Sequence, residues 1–378
     1  METKNIKTGE ITEQGLVSLF GSGAQKKSYK SNGHFIGSNK QTLLKNVSKY
    51  CKIKDCGRRI YRITEVYRYP LPSNFAKMNK SLYRYIIPLL LSYLTDGHDE
   101  SSKPDMGLGG WARKIGMFNK NFNLIRYSQE STSQETGIPV TIINDFFNKS
   151  ENMAGWYMDN AFGYLKSAGL IACNYIYHAS KEISSGRTKI DEDGNVYTGI
   201  SLDRHRASEE ETMYYSQCVA AADTLAGIKN TKERYYSKKS GRFNSALKKE
   251  LYKEKIKCIY KTYEVSCTDT EECRFILGKF GNTGHDSLTS GLNKEFTAMV
   301  MENAGKRFDA GTGKYRCCRC KDDYMVYFGW LCEMVIDKNT EYLGNRIKKK
   351  KFEDGYSLHI TPERNGKQWN LTGNRKWQ

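Results

Sequence analysis

The sequence has no apolar run long enough to cross a bilayer. Its most apolar stretch, YRYIIPLLLSYL at 83–94, falls far short of the roughly 20 residues required and contains Pro88. It is expected as a buried helix, with no membrane partner. METKNIKTGE is polar and is followed by no apolar leader core, so a cytoplasmic location is expected. Histidine is scarce: His34, His98, His178, His205, His285 and His359 are dispersed and read as surface or packing residues. No H-x-H pair, no H-E-x-x-H and no G-x-S-x-G occurs, and no internal E-x-K follows a plausible strand. The signatures of paired-imidazole nicking enzymes, zinc proteases, serine hydrolases and metal-and-lysine nucleases are therefore missing. DAGTGKY (309–315) has Phe308 and Tyr315 where a phosphate loop needs glycine and a hydroxyl, and reads as a turn. No internal repeat at a fixed period is visible.

Negative charge is also short. There are 42 Asp+Glu against 60 Lys+Arg, a formal charge of +18. Such an excess suits a polyanion, because each phosphate contact releases a condensed counterion. Nucleic acid, and DNA within that class, is the expected partner; a merely soluble basic protein is the plainer alternative. With 38% hydrophobic residues and 26 tyrosines the chain can bury a core and still carry half-wet rings. Eleven cysteines, an odd number without framework spacing, point to reduced thiols. Cys317 and Cys320 have the C-x-x-C spacing with which two thiolates share a zinc. No second pair matches it, since Cys267 and Cys273 have five residues between them. No cofactor is expected, with a structural zinc on Cys317 and Cys320 as the alternative.

The expected fold class is mainly α with short β-hairpins (α+β). Residues 1–33, rich in Gly, Ser and Lys, are expected as a flexible N-terminal arm. A small helix–hairpin unit follows at 34–72: a helix over 39–50 with Leu43, Leu44 and Val47 on one side, then strands on either side of DCGR. Residues 73–205 form the next domain, and 206–263 a basic helical region. Its first helix, 206–228, has an acidic first turn. Residues 229–261 hold twelve Lys/Arg against three Glu, and Tyr252, Ile256, Ile259 and Tyr263 recur at helical steps. A mixed C-terminal domain (264–343) and a basic tail (344–378) complete the chain.

Within 73–205, IPVTIINDFFN (138–148) predicts a short helix with Pro139 near its start. NKSEN predicts a turn, with Ser150 or Asn152 capping a longer helix over 153–168. Gly169 takes positive φ at its end. LIACNYIYH (170–178) and NVYTGISL (195–202) predict an antiparallel ribbon, joined by a polar connection and the DEDGN turn (191–195). Short helix, turn, longer helix and ribbon, with L-x-x-x-G-L-I at the corner, resemble the winged-helix DNA-binding proteins of bacterial regulators and phage or plasmid replication initiators. The resemblance covers about 110–202. It implies that the longer helix enters the major groove while the ribbon touches backbone or minor groove. The helix departs from that pattern in being poor in Arg and Lys, and Asp159 opposes phosphate; a plain helix–strand corner is the alternative. The 39–67 unit, with Arg58 and Arg59 at its turn, has a smaller version of the same layout.

The candidate nucleic-acid contacts are Arg58 and Arg59 at the first hairpin; Lys149, Ser150, Asn152, Asn160 and Lys166 around the longer helix; and Arg187 and Lys189 in the ribbon connection. Arg234, Tyr235, Tyr236, Lys238, Lys239 and Arg242 in the basic stretch join charge for phosphates to rings for unpaired bases. No catalytic residue is assigned. The expected function is a non-catalytic DNA-binding protein of mobile-element type, a replication initiator or regulator. Two alternatives stay open: a metal-dependent nuclease with its site in the C-terminal Cys/His/carboxylate region, and a protein-binding inhibitor of a nucleoprotein complex.

Overall fold

Residues 9–32, expected as a loose arm, are ordered secondary structure. In the computed structural model, which describes residues 6–35, 38–96, 104–190, 196–281, 284–311, 323–347 and 355–358, they open a small α+β module. Strand β1 (Gly9–Thr12) runs straight into helix α1 (Glu13–Phe20), where Thr12 Oγ1 accepts the Gly15 N–H at 3.2 Å. Ser22 and Gln25 form a reciprocal capping box at the start of α2 (Gly23–Asn32). Polar composition hid the reason for this order. Leu16, Val17 and Phe20 of α1 are buried against Leu43, Val47, Tyr61 and Ile63, contributed by a later segment. That segment is the predicted helix and hairpin: α3 (Asn39–Val47), β2 (Cys51–Asp55) and β3 (Ile60–Val66). β3 lies between β1 and β2, antiparallel to both.

Helices then dominate: α4 (Phe75–Met78), α5 (Tyr83–Thr95), a two-residue strand β4 (Asp105–Met106), α6 (Leu108–Lys114), α7 (Phe122–Tyr127), α8 (Gln129–Thr136) and α9 (Val140–Ser167). As expected, α5 is buried along most of its length, with Pro88 inside it. The turn predicted at NKSEN (148–152) is absent. α9 is one helix of 28 residues, and Ser150, expected as a cap, is a buried interior residue whose hydroxyl donates to Phe146 O at 2.8 Å. Ile143, Phe146, Phe147, Ser150, Ala154, Tyr157, Met158, Ala161 and Leu165 continue one helical stripe through the polar segment without a change of phase. Gly169 does end the helix with φ 76.

The chain next forms β5 (Ile171–Ile190), β6 (Val196–Arg206), α10 (Glu209–Ala226), α11 (Thr231–Tyr236), α12 (Ser240–Tyr252) and β7 (Ile256–Cys267). α13 (Thr270–Gly278), α14 (His285–Gly311), α15 (Tyr324–Val335) and β8 (Gly355–Leu358) follow. The ribbon is longer than predicted: β5 runs for 20 residues, through the segment expected as a polar connection. Residues 256–263, read as a helix, are strand. Their β-branched and aromatic residues fit a pleat, and a positive φ at Lys255 breaks the chain away from α12. Among the described residues the fold class is mixed, mostly helical with two sheets, and the larger strands are not short.

The chain divides into two units, Met1–Tyr175 with Thr262–Lys350, and Ile176–Lys261 with Lys351–Gln378. The boundary falls inside β5, so the region expected as one domain over 73–205 is divided, and 264–343 belongs with the first unit. The first unit's main core holds Trp111, Phe146, Phe147, Phe296, Tyr324 and Phe328, all buried. Trp111 Nε1 donates to Tyr263 O at 3.1 Å, next to the β4–β7 pairing. In the second unit β6 pairs with β5 and, on its other edge, with β8. α10 and α12 pack through small clusters around Cys218, Leu251 and Ile256, and around Ala222, Ala226 and Phe243. Among the described residues no helix is long and apolar enough to cross a membrane.

Candidate nucleic-acid interface

The N-terminal module concentrates charge. Residues 6–72 contain thirteen Lys and Arg against four Asp and Glu, half of the excess of the whole chain. Its hairpin shapes the exposed end of that charge. Asp55 Oδ1 accepts the Gly57 N–H at 2.9 Å, Cys56 N–H donates to Ile60 O at 3.0 Å, and Ile60 N–H donates to Gly57 O at 2.9 Å. The Gly57 N–H, with Lys40 behind it, holds the Asp55 carboxyl below its usual range. Gly57, Arg58 and Arg59 then follow one another in left-handed backbone, at φ 80, 47 and 62. Glycine adopts that region freely, whereas each arginine costs about 1–2 kcal/mol. Pairing on both edges of β3 holds the tip in this state. The Arg59 carbonyl adds a further tie by accepting the Glu13 N–H at 2.9 Å.

The two arginines differ. Arg59 is partly committed, with Nη1 3.3 Å from Gly33 O and Nε 4.0 Å from the buried Glu13 carboxylate. Arg58 is exposed and makes no salt bridge with a described residue. Behind the tip, Lys54 stands directly opposite Arg62 across the β2–β3 pair, a like-charge juxtaposition that disfavours the isolated sheet. Glu10 relieves it in part through a 2.6 Å contact to Arg62. α2 buries no residue and carries Lys26, Lys27 and Lys30 exposed. A cleft of about 750 Å³ separates it from α3, lined by Ser22, Ser28, Asn39, Thr42, Lys45 and Lys49 among others.

No protein family, no curated protein and no solved structure matches the chain. The chemistry of the site therefore rests on its own residues.

The other predicted contacts scatter. On α9, Lys149, Asn152 and Lys166 are exposed and Ser150 is buried; Asn160 is half-buried, with Nδ2 donating to Trp156 O at 2.8 Å. Lys166 Nζ lies 3.4 Å from Cys173 O. Arg187 and Lys189 lie on β5, and Tyr235 and Tyr236 on α11. In the second unit Arg234 is a tie rather than a free contact. Its guanidinium is forked onto Asp223 and lies 5.6 Å over the Phe243 ring. Lys239 likewise reaches Gly227 O at 2.6 Å and Glu233 at 3.6 Å, closing the end of α10. Lys238 and Arg242 remain exposed. Cys317 and Cys320 lie outside the described residues, as does the DEDGN turn; among the described residues no three His, Cys, Asp or Glu side chains are placed to share a metal. Sequence reasoning missed Lys26, Lys27, Lys30, Lys52, Lys54 and Arg62. The S-x-x-Q box at Ser22 and Gln25, and the charge ratio over 6–72, were the signals available for them.

Proposed function

We propose that this protein binds DNA without catalysing a reaction, and that its N-terminal module is the surface that meets the polyanion. A regulator or replication initiator of mobile-element type is the concrete form of this reading. The observation that carries it is the hairpin tip, where two successive arginines occupy left-handed backbone that glycine would adopt without cost. Strain kept at an exposed tip calls for a role outside folding. Here the gain is two guanidiniums presented to phosphate or to a groove edge, with Lys52, Lys54 and Arg62 on the ribbon behind them. Helix α3 followed by that ribbon is the wing layout in small form.

A salt series on the whole chain with a labelled duplex tests the reading. Five phosphate contacts give a log–log slope of about −4 to −5, and replacing Arg58 and Arg59 by alanine reduces it by about two. A slope near zero overturns the assignment of nucleic acid. An unchanged slope in the double variant overturns the assignment of the tip.

A further inference from the structure

A second cleft lies in the first unit, beside the middle of α9. It has a volume of about 550 Å³ and is walled by α6, α7, α9 and Tyr263 of β7. Two large aromatic side chains line it while remaining mostly in water: Trp156 is 59% exposed and Tyr127 62%. One exposed ring on a protein surface is ordinary, but two at one concavity mark a binding surface. Gly155, beside Trp156 on α9, and Gly109 on α6 add no side chain to the wall.

The polar groups around these rings are specific. Arg113 is exposed, has its guanidinium 5.1 Å over the Phe122 ring, and forms no salt bridge with a described residue. Arg126 is satisfied, with Nε 2.7 Å from Glu151 Oε1. Asp159 is exposed and accepts the Tyr263 hydroxyl at 3.1 Å, leaving carboxylate lone pairs toward the cleft. Asn152 adds an amide with both donor and acceptor. The lining thus has one uncommitted cation, a stacking ring, and groups able to read a polar edge. Two carboxylates here oppose the closely spaced phosphates of a duplex. They do not oppose a single nucleotide whose phosphate sits on Arg113.

We propose that this cleft takes an unpaired nucleotide of a single strand, with the base stacked on Trp156, a base N–H toward Asp159 and Asn152, and its phosphate on Arg113. The proposal rests on the nucleic-acid reading of the N-terminal module but uses a different surface and a different form of the polymer. The protein would then hold duplex at the ribbon and a melted base at α9.

The test is fluorescence anisotropy of the whole chain with a labelled oligothymidine and with a labelled duplex, at fixed low salt. Trp156→Ala is expected to weaken single-strand binding about tenfold and leave duplex binding unchanged. Arg113→Ala should weaken the single strand alone, and Trp156→Phe should retain most of the affinity. Arg58→Ala with Arg59→Ala should weaken the duplex. As a second readout, oligothymidine should quench wild-type tryptophan emission and quench Trp156→Phe much less. Unchanged single-strand affinity and unchanged quenching in the Trp156 variants overturn the cleft while leaving the module's duplex binding standing. Failure of the wild-type protein to bind either polymer overturns both.

Discussion

The Tyr324 hydroxyl donates a 2.7 Å hydrogen bond to Asp145 Oδ2, joining α15 to α9 inside the first unit's core. Arg307 Nε stands 3.9 Å from the same carboxylate oxygen. Burial, together with the bond to Asp145, pushes the Tyr324 hydroxyl up to about 12, so it stays a donor at any working pH. Tyr324→Phe keeps the ring and leaves a buried carboxylate one donor short. The expected loss is about 1–3 kcal/mol, read as a lower urea midpoint at constant slope. An unshifted midpoint would mean that the bond contributes nothing net.

Ser150 distinguishes a continuous helix from a capped turn. A cap hydroxyl removed by alanine costs about 1 kcal/mol, whereas an interior serine bonded back to its own helix, as here to Phe146 O, costs much less. Ser150→Ala is expected within about 0.5 kcal/mol of wild type, and Ser150→Pro to lose about 3 kcal/mol or more. Thermal or urea unfolding of the two variants checks this; a large alanine effect would restore the turn.

Arg58→Gly and Arg59→Gly should separate stability from binding. Each relieves a positive φ, at 47 and 62, so hairpin stability should rise or hold, by up to about 1 kcal/mol. Duplex affinity should fall at the same time. A variant that loses stability and affinity together would show the arginines to be structural.

Thiol labelling at pH 8 reports how firmly the two cores are closed. Burial pushes the Cys51 thiol up to about 11 and the Cys332 thiol up to about 12, whereas Cys56 and Cys258 are exposed. Iodoacetamide should modify Cys56 and Cys258 promptly, and Cys51 and Cys332 only with denaturant, as counted by intact mass. Equal rates at Cys51 and Cys56 would mean that the N-terminal module opens freely.

Glu211 gives a pH dependence of known sign. Burial works to raise its carboxyl, but the Ser208 N–H at 3.0 Å and His205 Nε2 at 3.0 Å outweigh it, so the group sits below its usual range. A depressed carboxylate contributes stability that is complete above its unfolded pKa and is lost as pH falls through the lower folded value. Glu211→Gln should therefore be less stable than wild type at pH 7, and the gap should close on acidification below about pH 4.3. A gap that widens in acid would reverse the assignment.

Much of the fold was legible where the signal is local. The Leu43/Val47 spacing, the D-C-G-R tip, the apolar α5, Gly169 and the acidic start of α10 each stand as read. The candidate site was legible only at Arg58 and Arg59. Its supporting lysines sit on α2, which buries nothing and so has no apolar period to detect. The pairing of Arg234 was hidden for the converse reason: nothing in its neighbourhood reveals that Asp223 lies across from it.

Caps, turns and helix ends are satisfied by atoms a few residues away, and for that reason the chain alone determined them. Burial needs a partner from far along the chain. NKSEN suits a turn or a helix equally well, until α15 and the rest of the core cover the face that carries Ser150. Residues 256–263 suit a helix or a strand, until Asp105 and Met106 pair with Glu264 and Tyr263. Tertiary structure made those choices, because the free energy that decides them comes from surface contributed by distant residues.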